Sequence, residues 1–123
     1  MPINVVVADD DLDICELLGI IFRKAGFVVH SAIDGQQALD EIELRCPDVV
    51  VLDVIMPKLS GIEVLKQMRK LDHLRDIPVI LVSARGQDTE IDVDEYLNPF
   101  EFMIKPFKSL ELVQLVKDIT NYR

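Results

Sequence analysis

The sequence predicts an α/β fold, a doubly wound (βα)5 arrangement in three layers with a five-stranded parallel sheet between two helical layers. Two observations carry that expectation. Short apolar runs rich in Val and Ile alternate along the chain with longer amphipathic segments at helical spacing. The runs are apolar at consecutive positions, as expected for strands that right-handed crossovers bury on both faces. The chain has 123 residues, which suits one compact domain, 1–123, around a single core.

The first strand is read at residues 3–8 and runs directly into Asp9, Asp10 and Asp11. Asp11 is placed to cap a helix bearing Ile14, Leu17, Leu18, Ile21 and Phe22, and Gly26 ends that helix. Residues 27–32 read as the second strand and 36–45 as the second helix. Pro47 then punctuates ahead of the apolar run 49–52, which stops at Asp53. Ser60-Gly61 opens a third helix that continues to residue 70, and 77–82 is read as the fourth strand. Residues 87–97, QDTEIDVDEYL, form an acidic segment with poor helix propensity, read as a weak fourth helix and stopped by Asn98-Pro99. A short strand at 101–104 leads to Lys105-Pro106. The last helix, 110–119, carries Leu112, Val113, Leu115 and Val116.

Charge narrows the classes of partner. With 22 acidic against 13 basic residues the formal charge is −9, which opposes direct binding of nucleic acid or of anionic lipid. No apolar run approaches the roughly 20 residues that span a bilayer, and the N-terminus has no basic segment leading into an apolar one, so a cytoplasmic location is expected. Cys15 and Cys46 lie in separate predicted helices without metal-ligand spacing and read as reduced packing residues. His30 and His73 read as a strand residue and a loop residue.

In open parallel sheets, ligands bind outside the carboxyl ends of the strands. On this reading Asp9, Asp10, Asp53, Ser83 and Lys105 all stand at such ends and can converge. Crowded carboxylates raise one another's pKa unless a cation or a proton compensates them. Hard oxygen ligands suit Mg2+, which takes few protein ligands. A carboxylate beside a metal can accept a phosphoryl group as an acyl phosphate. Lys105 as a point charge and Ser83 as a hydroxyl would hold the remaining phosphoryl oxygens, with Ala84 leaving room.

Four stretches of the sequence, VVVADDD, VVLDVIMPKLSG, LVSA and IKPF, together resemble the receiver domain of two-component response regulators, in the CheY-like superfamily with its flavodoxin-like fold. The resemblance covers essentially the whole chain, and the spacing between the stretches agrees with the family. It implies that Asp53 is the phosphoacceptor and that Asp9 and Asp10 are the acidic pair. Asp10 and Asp53 would ligate Mg2+ directly, Asp9 would act mainly through water, and the Ile55 carbonyl would complete the protein ligands. Ser83 and Lys105 resemble the phosphate-sensing hydroxyl and the lysine. Phe102 stands at the switch aromatic, although an aromatic in a short strand can equally be core. Ile55 and Arg85 occupy the positions that tune hydrolysis of the phosphorylated state, and their side chains imply slow loss of phosphate.

The implied function is a phosphoryl-accepting switch in a two-component system or phosphorelay. A histidine kinase or phosphotransfer protein would supply the phosphoryl group, and the output face would be formed by the predicted fourth helix, the fifth strand and the last helix. The chain would catalyse only its own phosphotransfer and a slow self-dephosphorylation, and the downstream partner or fused output domain is unspecified. Ahead of the last strand the family usually carries Gly-Ala, acidic residues and an aromatic, whereas Asn98 to Phe102 here imply a stiffer loop. Phe102 lacks the hydroxyl of the commoner tyrosine, so packing would drive any movement of it. The alternative is a phosphorylation-independent interaction module on the same fold. A metal-dependent phosphohydrolase is disfavoured, because Ile55 stands where such an enzyme needs a second carboxylate.

Overall fold

A computed structural model describes residues 2–84 and 97–121. In chain order the elements are β1 (Asn4–Ala8), α1 (Leu12–Lys24), β2 (Val28–Ala32), α2 (Gly35–Arg45), β3 (Val49–Asp53), α3 (Gly61–Lys70), β4 (Val79–Ala84), β5 (Phe100–Lys105) and α4 (Ser109–Asn121). The strands form one parallel sheet in the order β2-β1-β3-β4-β5. The expected α/β architecture is therefore present, and the strand order reverses between β1 and β3, where Asp9 directly follows β1 and Asp53 ends β3.

Local chemistry sets the helix starts. Asp11 accepts hydrogen bonds from the amides of Asp13 and Ile14 at the head of α1, and Asp34 accepts one from the Gln37 amide at the head of α2. Ser60 and Glu63 form a reciprocal capping box on α3.

Strand alternation divides the core into two layers. Val5, Val7, Val49, Val51, Ile80 and Val82 face Leu18 and Phe22 of α1 and Leu112, Val113 and Val116 of α4. Val6, Ala8, Val50, Leu52, Val79 and Leu81 face Ala38 and Ile42 of α2 and Val64, Leu65 and Met68 of α3. Every strand residue of both sets is essentially inaccessible, which accounts for the unbroken apolar runs of β1 and β3.

Several expectations need correction. The fourth strand begins at Val79, two residues later than read, because Ile77 closes a turn onto the Leu74 carbonyl and Pro78 has no amide to donate. It continues through Ser83 and Ala84, which pair with Ile104 and Lys105, so Ser83 and Lys105 lie within strands instead of following them. The predicted helix at 87–97 lies outside the described residues apart from Leu97, which is buried. Leu17, expected on the apolar stripe of the first helix, is 55% exposed. Cys46 is exposed and ends α2 in the left-handed region (φ 43°), so it is not a packing residue, whereas Cys15 is buried. Among the described residues no helix is long and apolar enough to cross a membrane.

Two glycines allow segments to meet more closely than a side chain would permit. A Cβ on Gly61 would stand 2.4 Å from the Asp53 carbonyl oxygen, and one on Gly35 would stand 1.9 Å from the Leu59 carbonyl oxygen. Gly19, inside α1, would meet only the end of the flexible Arg23 side chain, at 2.9 Å. Gly61→Ala should therefore cost about 1–3 kcal/mol of stability. Gly19→Ala should be neutral or stabilising by up to about 1 kcal/mol, because alanine is the better helix former. Urea denaturation midpoints of the two variants measure the contrast, and equal losses would contradict it.

Candidate functional site

The site is built where strand ends meet. Along β1 the side chains of Val5 and Val7 enter the α1/α4 layer, and Asp9 continues the same alternation one residue past the strand. Asp53 continues Val49 and Val51 in that way, and Lys105 continues Met103. These three polar residues therefore continue one apolar face to the carboxyl edge of the sheet. Ser83 follows Val79 and Leu81 on the opposite face, and Asp10 stands beside Asp9 in the bend after β1.

Backbone contacts fix Asp9. Its amide donates to the Ala32 carbonyl at 3.1 Å, its carbonyl accepts the Cys15 thiol at 3.1 Å, and its Oδ1 accepts the Asp11 amide at 2.9 Å. Asp9 is buried and Asp10 is exposed, so only one of the adjacent pair is desolvated. One carboxylate oxygen from each of Asp9, Asp10 and Asp53 lies within 4.8 Å of the others. Lys105 Nζ bridges two of them, at 3.2 Å from Asp9 Oδ2 and 3.5 Å from Asp53 Oδ2.

The electrostatics follow from that crowding. Burial and the neighbouring Asp9 charge push the Asp53 carboxyl up to about 6, against the pull of Lys105 and of a hydrogen bond from the Ile55 amide. Burial acts to lower the Lys105 ammonium, but Asp53 and Asp9 outweigh it and leave Lys105 above its ordinary value. Three carboxylates facing one lysine leave excess negative charge. An all-oxygen donor set with that excess fits a hard divalent cation.

The other expected residues are placed as follows. Ser83 is buried on β4 beside Val82, which is in register with Asp53 and whose carbonyl accepts the Val54 amide at 2.9 Å. Ile55 is exposed in the loop after β3, and Arg85 lies outside the described residues. Phe102 is in register with Leu81 on the edge strand, 43% exposed and edge-on to Phe100 with ring centroids 5.7 Å apart. The core reading of Phe102 does not hold.

Three supporting residues escaped the sequence reading. Arg69 is buried on α3 and donates to the carbonyls of Leu97 and Pro99, each at 2.7 Å. Burial lowers its guanidinium to about 10, and a cation inside the apolar stripe of Val64, Leu65 and Met68 was the available signal. Asp34, directly before a glycine, carried an N-cap signal and also pairs with Lys58 at 3.5 Å. Cys15 was read as packing alone, yet its thiol holds the Asp9 backbone.

Comparison with known proteins agrees with this geometry. A family model for the response regulator receiver domain matches residues 5–117. The chain is 36% identical over 116 residues to the transcriptional regulatory protein CpxR homolog of Haemophilus influenzae, covering 94% of this chain and 49% of that protein. It is 36% identical to the alkaline phosphatase synthesis transcriptional regulatory protein PhoP of Bacillus subtilis, covering 94% and 48%. The chain thus spans about half the length of the curated relatives it matches. Among solved structures, the receiver domain of the Francisella response regulator 1452 superposes with a TM-score of 0.85 at 33% identity, covering 98% of both chains. Chemotaxis response regulator CheY4 of Vibrio cholerae shares the fold at a TM-score of 0.87 and 23% identity, covering 97% of this chain and 99% of that one. The chain belongs to the response regulator receiver domain family of two-component signalling proteins.

Proposed function

We propose that this receiver domain is switched by Mg2+-dependent phosphorylation of Asp53. The observation that carries the reading is the placement of Asp53, whose carboxylate lies with those of Asp9 and Asp10 while Lys105 reaches it at 3.5 Å. A carboxylate oxygen of Asp53 attacks the phosphorus of a phosphohistidine on a histidine kinase or phosphotransfer protein. The P–N bond breaks, the imidazole leaves, and an acyl phosphate remains on Asp53. Asp10, Asp53 and the backbone at Ile55 are the residues to hold Mg2+, with Asp9 acting mainly through water. Bound there, the cation would neutralise charge on the transferring group. Lys105 supplies a fixed positive charge to the phosphoryl oxygens, and the Ser83 hydroxyl is the donor that senses them.

The phosphorylated domain then signals through Phe102, β5 and α4 to a downstream protein or output domain. Relatives named as transcriptional regulatory proteins, about twice as long as this chain, support an output of that class. Ile55 and Arg85 are the residues proposed to slow hydrolysis by hindering in-line water.

Incubation with Mg2+ and acetyl phosphate should add one phosphoryl group, seen by intact mass and lost at alkaline pH. Asp53→Asn should take up none, and equal labelling of that variant would refute the assignment. Ile55→Asn should shorten the half-life of the label, and an unchanged half-life would remove Ile55 from the control of hydrolysis.

A second prediction concerns pH in the metal-free protein. The folded Asp53 carboxyl titrates near 6 against an ordinary value of 3.8, so the native state binds the extra proton between those limits. Its contribution to stability is therefore full below pH ~4 and is lost as pH rises through ~6. Asp53→Asn should flatten that dependence and raise metal-free stability at pH 7 by about 1–3 kcal/mol. For the wild type, Mg2+ at ten times its Kd should restore about 1.4 kcal/mol. Thermal melts across pH measure both effects, and a metal-free wild type that gains stability from pH 4 to 7 as steeply as Asp53→Asn would contradict the sign.

A further inference from the structure

The loop between β3 and α3 carries Ile55, whose amide donates to the Asp53 carboxylate, and it is held at both ends by backbone contacts. At one end the Val54 amide bonds the Val82 carbonyl at 2.9 Å and the Val54 carbonyl accepts the Gly61 amide at 2.8 Å. The other end rests on the turn between β2 and α2. There the Gly35 amide donates to the Pro57 carbonyl at 3.2 Å. Gly35 also lies so close to Leu59 that a Cβ would stand 1.9 Å from its carbonyl oxygen. Lys58 adopts the left-handed conformation at φ 71°, uncommon for a residue with a side chain, and its Nζ lies 3.5 Å from Asp34 Oδ2. Asp34 is buried, and its other oxygen caps α2 through the Gln37 amide at 2.8 Å.

From these contacts we infer that Asp34, Gly35 and Lys58 are positioning residues for the phosphoacceptor site, acting as a clamp that fixes the loop and through it the Asp53 carboxylate and the metal-binding backbone. The clamp contains no residue of the acidic cluster. It works by shape at Gly35 and by an ion pair tied to a helix cap at Asp34, so the start of α2 and the loop after Asp53 move as one unit. This inference rests on the function proposed above, because it takes Mg2+ binding at Asp53 as its readout.

The sign of one substitution separates positioning from simple charge. Lys58→Met removes a positive charge near an acidic site, so long-range electrostatics alone would tighten Mg2+ binding. Loss of the clamp would weaken it. Asp34→Asn keeps a capping oxygen for α2 while removing the ion pair.

The test is calorimetric titration of the whole chain with Mg2+, accompanied by amide chemical shifts of Asp53 and Ile55 and by metal-free melting curves. Lys58→Met and Asp34→Asn should each weaken Mg2+ binding about two- to fivefold. The double variant should weaken it no further than either alone, since both break one contact. Lys58→Arg should restore the wild-type value. Gly35→Ala should weaken binding at least about tenfold if it folds. Tighter binding by Lys58→Met, or affinities unchanged in both charge variants, would overturn the clamp. A wild type that binds no Mg2+ would instead overturn the proposed function and the clamp with it.

Discussion

Three carboxylates brought within 4.8 Å of one another repel, and the arrangement around them is set by how that repulsion is contained. Lys105 offsets part of it by reaching Asp9 and Asp53 together. Burial prevents water from screening the rest, so Asp53 is held near a pKa of 6, far above an ordinary aspartate. A site in this condition favours any species that brings positive charge to the oxygens. The crowding that raises Asp53 and the fit of the cluster to a hard divalent cation have the same origin.

The groups are held mainly by backbone. Asp9 is fixed through its amide and carbonyl, and Asp53 stands at the end of a strand whose next residue bonds across to β4. The close approach of Gly61 to the Asp53 carbonyl sets where α3 begins. Such contacts tolerate little movement, because packed backbone cannot adapt as a long side chain does. A helix pressed against β3 and a loop bonded to the turn between β2 and α2 make a rigid frame around one exposed carboxylate, Asp10.

The opposite character appears at the edge of the sheet. Among the described residues β5 pairs with β4 alone, and Phe102 and Ile104 are exposed along it. Arg69 ties the chain at Leu97 and Pro99 back to α3, so β5 starts from a fixed point while Phe102 and Ile104 stay exposed along it. Fixed carboxylates at the strand ends, with exposed aromatic and aliphatic groups on the adjoining edge, suit a domain that converts a local charge into a change of surface.

The α/β class, β1 and β3, the helix starts at Asp11 and Ser60, and the convergence of Asp9, Asp10, Asp53 and Lys105 were legible in the residues alone. Each of these depends on patterns within a few residues: apolar runs that need no partner to be recognised, capping spacings, and polar residues that interrupt a run where a strand must end. Where β4 and β5 begin and stop was settled by the fold, because a strand boundary is set by which residues of a neighbouring strand remain to be paired. It also decided that Leu17 and Phe102 are exposed, that Arg69 is buried against carbonyls 28 and 30 residues away, and that Lys58 meets Asp34. Those outcomes depend on segments distant in sequence, and no local period encodes which surfaces the folded chain will bring together.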